Sequence, residues 1–354
     1  MAEVPKTIVV KIGTYVITHE GGELAADVMR DLVRQVVELK RNGTRVILVT
    51  SGAVGAGLGL VKIKQGTSAV ERRQILASVG QPRLLAAYLE QFRKHQTLCA
   101  QVLATKEDFR DRQHYLNMKR CFTALLRDDI VPIVNENDVV AVSEHMFTDN
   151  DELAALIAAM MNVDALLILT NVDGVFDEQG KVVSVVDAST ALDHIGCALP
   201  SKGGRGGMFT KCKAARKVAS LGVPTTIVNG KRPNILLDVV AGVSVGTRFA
   251  PKKRMSSMKQ WIATAPAEEK GTVTINAGAA AALRQGARAT SLLPIGIVSV
   301  SGEFAKGDLL KIIDEHGKEI GVGIAQYGAT AARAAAGKHG KKALIHYDYL
   351  SLEV

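Results

Sequence analysis

The chain has 354 residues, 47% of them hydrophobic and only 4% aromatic, with a formal net charge of +9. That length holds two domains, or one large α/β domain with an appendage, and a core poor in rings but rich in alanine, valine and leucine suits a buried parallel sheet. No uncharged run of about 18 apolar residues is present to cross a membrane, and the basic balance suits anionic ligands such as nucleotides, although with no run of five like charges it also fits an ordinary solvated surface.

In chain order, the first β-branched run is Thr7–Ile12, which ends in Lys11-Ile12-Gly13 and is followed by Thr14 and Tyr15. Asp27–Arg41 places Val28, Leu32, Val33, Val36 and Val37 at helical spacing, and Asn42-Gly43 supplies a stop. A strand over Arg45–Thr50 then leads into Ser51-Gly52. The pattern continues with a helix over Glu71–His95, a strand over Leu98–Leu103, a helix over His114–Asp128 and a strand over Ile130–Val134. Next come a helix over Asp149–Met161, a strand over Ala165–Thr170, a helix over Met208–Leu221 and a strand over Pro224–Val228. Strands alternating with helices of this length predict βαβ units and a mostly parallel sheet sandwiched by helices. Right-handed crossovers would gather the strand carboxyl ends at one edge.

The pattern changes near residue 250. A polar, basic, proline-broken linker is expected over 256–270, between a domain over 1–255 and a small β-rich, barrel-like domain over 271–354. The cysteines Cys99, Cys121, Cys197 and Cys212 make no C-x-x-C pair and no zinc spacing. They read as core fillers in a reducing, cytoplasmic compartment, as does the lack of an apolar leader.

Four stretches at the expected sheet edge carry chemistry. Lys11-Ile12-Gly13 delivers a cation, with Gly13 allowing a tight turn and close ligand approach. It is no Walker A loop, and lysines after strands are commonly just solvated. "SKGGRGGMFTK", Ser201–Lys211, sets four glycines before a helix, where backbone N–H groups can meet phosphate. It also reads as a plain loop. Asn135, Asn137 and Asp138 follow a strand, and Asp149, Asn150 and Asp151 precede a helix. One such residue is expected as an N-cap, but two clusters exceed that need. They suit binding an ammonium, orienting lysines or helping to hold nucleotide-bound Mg²⁺. "VTSGAVGAG", Val49–Gly57, is either a tight strand-to-helix turn or a seat for a small carboxylate ligand.

Taken together and in order, "VVKIGTYVIT", "ILVTSGAVGAG", "VPIVNENDVVA", "TDNDELAALIA", "LLILTNVDGVF" and "GGMFTK" resemble the glutamate 5-kinase family of the amino-acid kinase superfamily, over about residues 6–250. The C-terminal part is similar to a PUA domain. The resemblance implies phosphorylation of the γ-carboxylate of L-glutamate by ATP with Mg²⁺, the first step of proline synthesis. It implies that Lys11 and Lys211 neutralise the migrating phosphoryl group and that Asp151 orients both lysines. Ser51, Asp138 and Asn150 match glutamate-binding positions, and Asp149 lies near the substrate. Nucleotide contacts would come from Lys11, Gly13, Thr14, Thr170, Asn171 and the loop Arg205, Gly206, Gly207, Met208, Phe209, Thr210 and Lys211.

Three positions depart from the family pattern. Tyr15 stands where serine is general, Asn171 where aspartate is common, and Phe209 where a small or polar residue is frequent. The Tyr15 ring is expected to point away from the phosphates. Further expectations are proline as feedback inhibitor, a homodimer or homotetramer, and hand-off to glutamate-5-semialdehyde dehydrogenase. No membrane partner is expected. The alternatives are another amino-acid kinase, acting on aspartate, N-acetylglutamate, carbamate or a nucleotide monophosphate, and RNA binding through the PUA-like part. RNA is disfavoured because no aromatic stacking pattern is evident.

Overall fold

Runs rich in valine, isoleucine and leucine form the central strands, and those ending at Ile12, Thr50, Glu136, Thr170 and Asn229 stop where a glycine, serine or asparagine follows (Gly13, Ser51, Asn137, Asn171 and Gly230). The computed structural model describes residues 4–19, 21–140, 149–187, 190, 207–252, 269–284 and 290–352. The chain divides into two units, Met1–Arg254 and Met255–Val354.

In the first unit the strands are β1 (Thr7–Ile12), β2 (Arg45–Thr50), β3 (Cys99–Ala104), β4 (Val131–Glu136), β5 (Ala165–Thr170), β6 (Val185–Val186), β7 (Thr225–Asn229) and β8 (Thr247–Phe249). The helices are α1 (Thr14–Ile17), α2 (Ala26–Arg41), α3 (Ala53–Gly57), α4 (Ala69–Arg93), α5 (Glu107–Arg110), α6 (Arg112–Arg127), α7 (Asn150–Met161), α8 (Met208–Ser220) and α9 (Ile235–Val240). The sheet order is β3-β4-β2-β1-β5-β7-β8-β6. Every neighbouring pair from β3 to β7 is parallel. β8 runs antiparallel to β7, and β6 parallel to β8. From β1 the chain builds outward on one side of the sheet and then crosses to β5 on the other. Ligands bind such α/β sheets in the crevice beyond the strand carboxyl ends where the order reverses. Here that point lies between Lys11 and Thr170.

Strand alternation sorts the side chains. Ile8, Val10 and Ile12 of β1 and Val46 and Leu48 of β2 pack with Leu32, Val33 and Val36 of α2 and Leu84, Tyr88 and Phe92 of α4. Val9, Lys11, Ile47 and Val49 have the opposite parity and face α7, which packs on β1 and β2. α7 is buried along nearly its whole length, from Asp151 to Met160, as its unbroken apolar run requires.

The predicted strands Thr7–Ile12, Arg45–Thr50 and Ala165–Thr170 coincide with β1, β2 and β5, and the other predicted elements shift by one or two residues. β6, β8 and the helices α1, α3, α5 and α9 were not expected, because two to six residues cannot display a hydrophobic period. Cys99 is half-buried and Cys121 exposed, both free, whereas Cys212 is buried and disulfide-bonded. The reading of the cysteines as core fillers in a reducing compartment therefore fails at Cys121, which is not in the core, and at Cys212, which is not a free thiol; Cys197 lies outside the described residues.

The second unit has β9 (Gly271–Ile275), α10 (Ala277–Arg284), β10 (Ile297–Gly302), β11 (Leu309–Asp314), β12 (Glu319–Ala325), α11 (Ala329–Ala335) and β13 (Ile345–Leu352). Its five-stranded sheet has the order β10-β9-β11-β12-β13, over a core that includes Val273, Ile275, Leu310, Ile312 and Ile345. Of the expected linker, residues 256–268 lie outside the described residues. Among the described residues, no helix is long and apolar enough to cross a membrane.

Candidate active site

Asp149 caps α7 and thereby decides where that helix begins. Its Oδ1 accepts the N–H groups of Asp151 and Glu152 at 2.9 and 3.2 Å, satisfying two of the orphan donors of the first turn. Asp151 consequently sits at the sheet edge, fully buried. Lys11 reaches it from β1, with Nζ 2.6 Å from Oδ1, and Lys211 from the first turn of α8, with Nζ 3.0 Å from Oδ2. The two lysine side chains are 4% and 11% exposed, so one carboxylate is shared by two nearly dry ammonium groups. Burial alone would raise the Asp151 carboxyl, but the charges of Lys11 and Lys211 outweigh it and hold the group at about 2. Burial, reinforced by the Asp151 charge, pushes Asp149 the other way, up to about 6. Its Oδ2 is buried without a hydrogen-bond partner among the described residues. Two ammoniums face the Asp151 carboxylate, and with Asp149 protonated the group carries one surplus positive charge, which suits an anionic ligand.

Asn150 organises the adjoining side of the site. Its Nδ2 donates to the Thr50 carbonyl at 2.6 Å, to Ser51 Oγ at 3.2 Å and to Asn135 Oδ1 at 2.8 Å. One amide thus ties α7 to the ends of β2 and β4. Asn135 in turn donates to Gln81 Oε1 of α4 at 2.7 Å. The Ser51-Gly52 turn needs its glycine, because Gly52 has φ 102°. Asp138 makes no bond to Ser51 or Asn150 and lies instead against Arg73 of α4, beside a cleft of about 370 Å³ lined by Gln81, Leu85, Leu103, Glu136 and Asp138.

Of the residues expected at a nucleotide, Gly13 caps α1 with an extended backbone, φ −73°. Its requirement is therefore space and not an unusual turn. A Cβ there would stand 3.1 Å from the Leu169 carbonyl oxygen, whose hydrogen bond to the Gly13 N–H is 3.2 Å. Thr14 opens α1. On the same short helix Tyr15 is half exposed, while Val16 and Ile17 are buried. Thr170 is buried at the end of β5 and Asn171 is exposed. α8 is preceded by Gly207 at its N-cap, with no side-chain cap and no acidic residue in its first turn, so among the described residues no side chain caps its leading N–H groups. Met208, Phe209 and Thr210 form that turn, where the Thr210 hydroxyl donates to the Gly207 carbonyl at 2.8 Å and Phe209 is half exposed. Arg205 and Gly206 lie outside the described residues.

A second cleft of about 370 Å³, beyond the ends of β5 and β7, is lined by Asp173, Ser184, Asn229, Arg232 and Gly246. Asn229 Nδ2 donates to Asp173 Oδ1 at 2.9 Å. Sequence reasoning missed these residues, although Asn229-Gly230-Lys231 ends a strand much as Lys11-Ile12-Gly13 does. It also missed Arg73, early in α4, and Gln81, near the middle of that helix, with nothing local to mark either.

Residues 6–229 match the model of the Amino acid kinase family, and residues 271–347 that of the PUA domain. A glutamate 5-kinase of Chlorobaculum tepidum is 50% identical over 352 residues, covering 98% of this chain and 97% of the relative. Glutamate 5-kinases of Bacteroides thetaiotaomicron and Caldanaerobacter subterraneus are 44% identical over 354 residues and 41% over 352; they cover 98% and 97% of this chain, and the chain covers 98% and 94% of them. With a motor of two lysines around one aspartate at the sheet edge, and with identity of this order along nearly its whole length, the chain belongs to the amino acid kinase family, among its glutamate 5-kinases.

Proposed function

We propose that this protein transfers the γ-phosphoryl group of ATP to the γ-carboxylate of L-glutamate, giving γ-glutamyl phosphate and ADP and so opening proline biosynthesis. The observation that carries this reading is the Asp151 carboxylate gripped by Lys11 and Lys211 from two separate elements at the topological reversal of the sheet. In the proposed step a carboxylate oxygen of glutamate forms a bond to the γ-phosphorus while the bond from that phosphorus to the bridging oxygen breaks. The electron pair leaves on ADP. No proton has to be removed, because the glutamate side chain is already ionised at pH 7. The remaining work is alignment and charge neutralisation. Lys11 and Lys211 each spend one donor on Asp151 and keep others for phosphoryl oxygens. The uncapped start of α8 supports the same assignment, since such an end favours anions. Ser51, Asn150 and Asp138 would hold the amino acid, and Gly13, Thr14, Thr170 and Asn171 would line the nucleotide.

Among the described residues no three His, Cys, Asp or Glu side chains gather as a metal cage. The family reading brings Mg²⁺ with the nucleotide, where Asp149 at the sheet edge would be the nearest acidic side chain able to help hold it. When bound, the ion offsets negative charge on those oxygens. Proline inhibition, self-association and hand-off of the acyl phosphate to a dehydrogenase are proposed with the family reading.

The test is ADP release with glutamate and ATP–Mg²⁺, with the acyl phosphate trapped by hydroxylamine across a panel of amino acids. Glutamate is expected to be the preferred acceptor, and Lys211→Ala to lower kcat by about 10²-fold or more, the scale of removing one preorganised charge donor. A preferred acceptor other than glutamate, or full turnover by Lys211→Ala, would refute the reading.

A further inference from the structure

Arg73 lies outside the motifs that carry the family resemblance, yet it bridges two buried carboxylates. It follows the capping box of α4, in which Ser68 and Glu71 bond each other's backbone and fix the first turn. From there its Nε donates to Asp138 Oδ1 at 2.7 Å, and Nη2 lies 2.6 Å from that oxygen and 2.8 Å from Glu136 Oε2. Glu136 ends β4 and Asp138 stands two residues beyond, and both side chains are buried, at 3% and 7% exposure. Both carboxylates converge on the one guanidinium, and by formal charge two carboxylates exceed that cation by one, a balance suited to an ammonium.

The geometry adds direction to that charge. Both contacts from Arg73 to Asp138 fall on Oδ1, and among the described residues Oδ2 has no partner. The planar fork of an arginine sets the carboxylate's orientation in a way a lysine cannot. Asp138 borders the same cleft as Gln81, which bonds Asn135 and, through it, Asn150.

We propose that Arg73 is a positioning residue for the amino-acid subsite: clamping Asp138 Oδ1 against Glu136 presents Oδ2 to the substrate's α-ammonium and so sets selection for an amino acid over a simple dicarboxylate. This rests on the reading of Asp138 as a substrate-binding residue. Arg73 touches no reacting atom and acts through Asp138 alone.

The experiment compares kcat/KM for glutamate with that for glutarate, which lacks the amine, in the full-length parent, Asp138→Asn, Arg73→Met and Arg73→Lys. Asp138→Asn is expected to collapse the glutamate-to-glutarate ratio by about tenfold or more, the scale of one charged hydrogen bond. Arg73→Met is expected to collapse it to the same level, raising the glutamate KM while kcat and the ATP KM stay within about threefold. Arg73→Lys, which keeps the charge and loses the fork, falls between. A general structural defect would depress both acceptors equally and leave the ratio alone. If Asp138→Asn loses the ratio and Arg73→Met keeps it, the positioning role is overturned while the Asp138 assignment stands. If Asp138→Asn keeps the parent ratio, the Asp138 assignment falls and takes this proposal with it. Should Arg73→Met fail to fold, Arg73→Lys decides, and a parental ratio there overturns the proposal.

Discussion

Replacing Asp151 with asparagine removes one negative charge and almost no volume, which makes the change a clean probe of the shared carboxylate. In the fold this carboxyl titrates at about 2, against an ordinary value of 3.8. The difference corresponds to about 2–3 kcal/mol of stability at neutral pH. The folded value lies below the unfolded one, so this contribution is complete above about pH 4 and fades as the pH falls through about 2. The substitution also strands two ammoniums that are 4% and 11% exposed. Breaking a buried pair by deleting one partner costs about 3–5 kcal/mol, and the partial access of Lys211 to water places this case near the lower figure. D151N is therefore expected to unfold in urea with about 3 kcal/mol less stability at pH 7, and the deficit should shrink steadily between pH 4 and pH 2. Turnover should fall by about 10²–10³-fold, because the ammoniums lose their common anchor. A variant within about 0.5 kcal/mol of the parent at pH 7, the ordinary spread for surface changes, would refute the argument that this ion cluster is dry and mutually dependent.

The neighbouring Asp149 gives the opposite pH signature. Its carboxyl is raised to about 6 from 3.8, so the folded chain holds an extra proton between those values, and stability falls as the pH rises through that window. D149N keeps an oxygen for the helix cap but cannot ionise, so relative to the parent it should gain up to about 3 kcal/mol between pH 4 and pH 8 in urea titrations. A pH-independent difference would contradict the burial of this group. Gly52 has φ 102° with nothing nearer than 3.5 Å to an added Cβ, so Gly52→Ala should lose about 1–2 kcal/mol from backbone strain alone. An unchanged urea midpoint would mean that the turn relaxes. Tyr88→Phe deletes the buried 2.9 Å bond to Thr50 Oγ1 and should cost about 1 kcal/mol, leaving the glutamate KM unmoved.

The sequence marks Lys11 and the cluster Asp149–Asp151 as polar breaks at the ends of apolar runs, but the pairing of lysine with Asp151 is implied only by the family resemblance. Lys211 is legible through the glycines that precede it. The conformational reason given for Gly13 does not hold, since its dihedrals are ordinary and only the nearness of the Leu169 carbonyl demands glycine. Crowding of that kind involves a strand about 150 residues away and leaves no local trace. Arg73 is illegible for a related reason. An arginine early in a capped helix looks like a solvated one until β4 brings Glu136 and Asp138 against it. The resemblance groups Asp138 with Ser51 and Asn150 as glutamate-binding positions, and nothing local in the sequence shows that its bonded neighbour in the fold is Arg73 of α4.

Three successive residues at the start of α7 serve three different neighbours. Asp149 turns back on the helix, Asn150 reaches β2 and β4, and Asp151 spans β1 and α8. On the proposed roles, the receiving and donating halves of the site are therefore mounted on the first turn of one buried helix. Any tilt of that helix displaces both halves together, so substitutions deep in α7, far from either ligand, should disturb the two binding constants in concert.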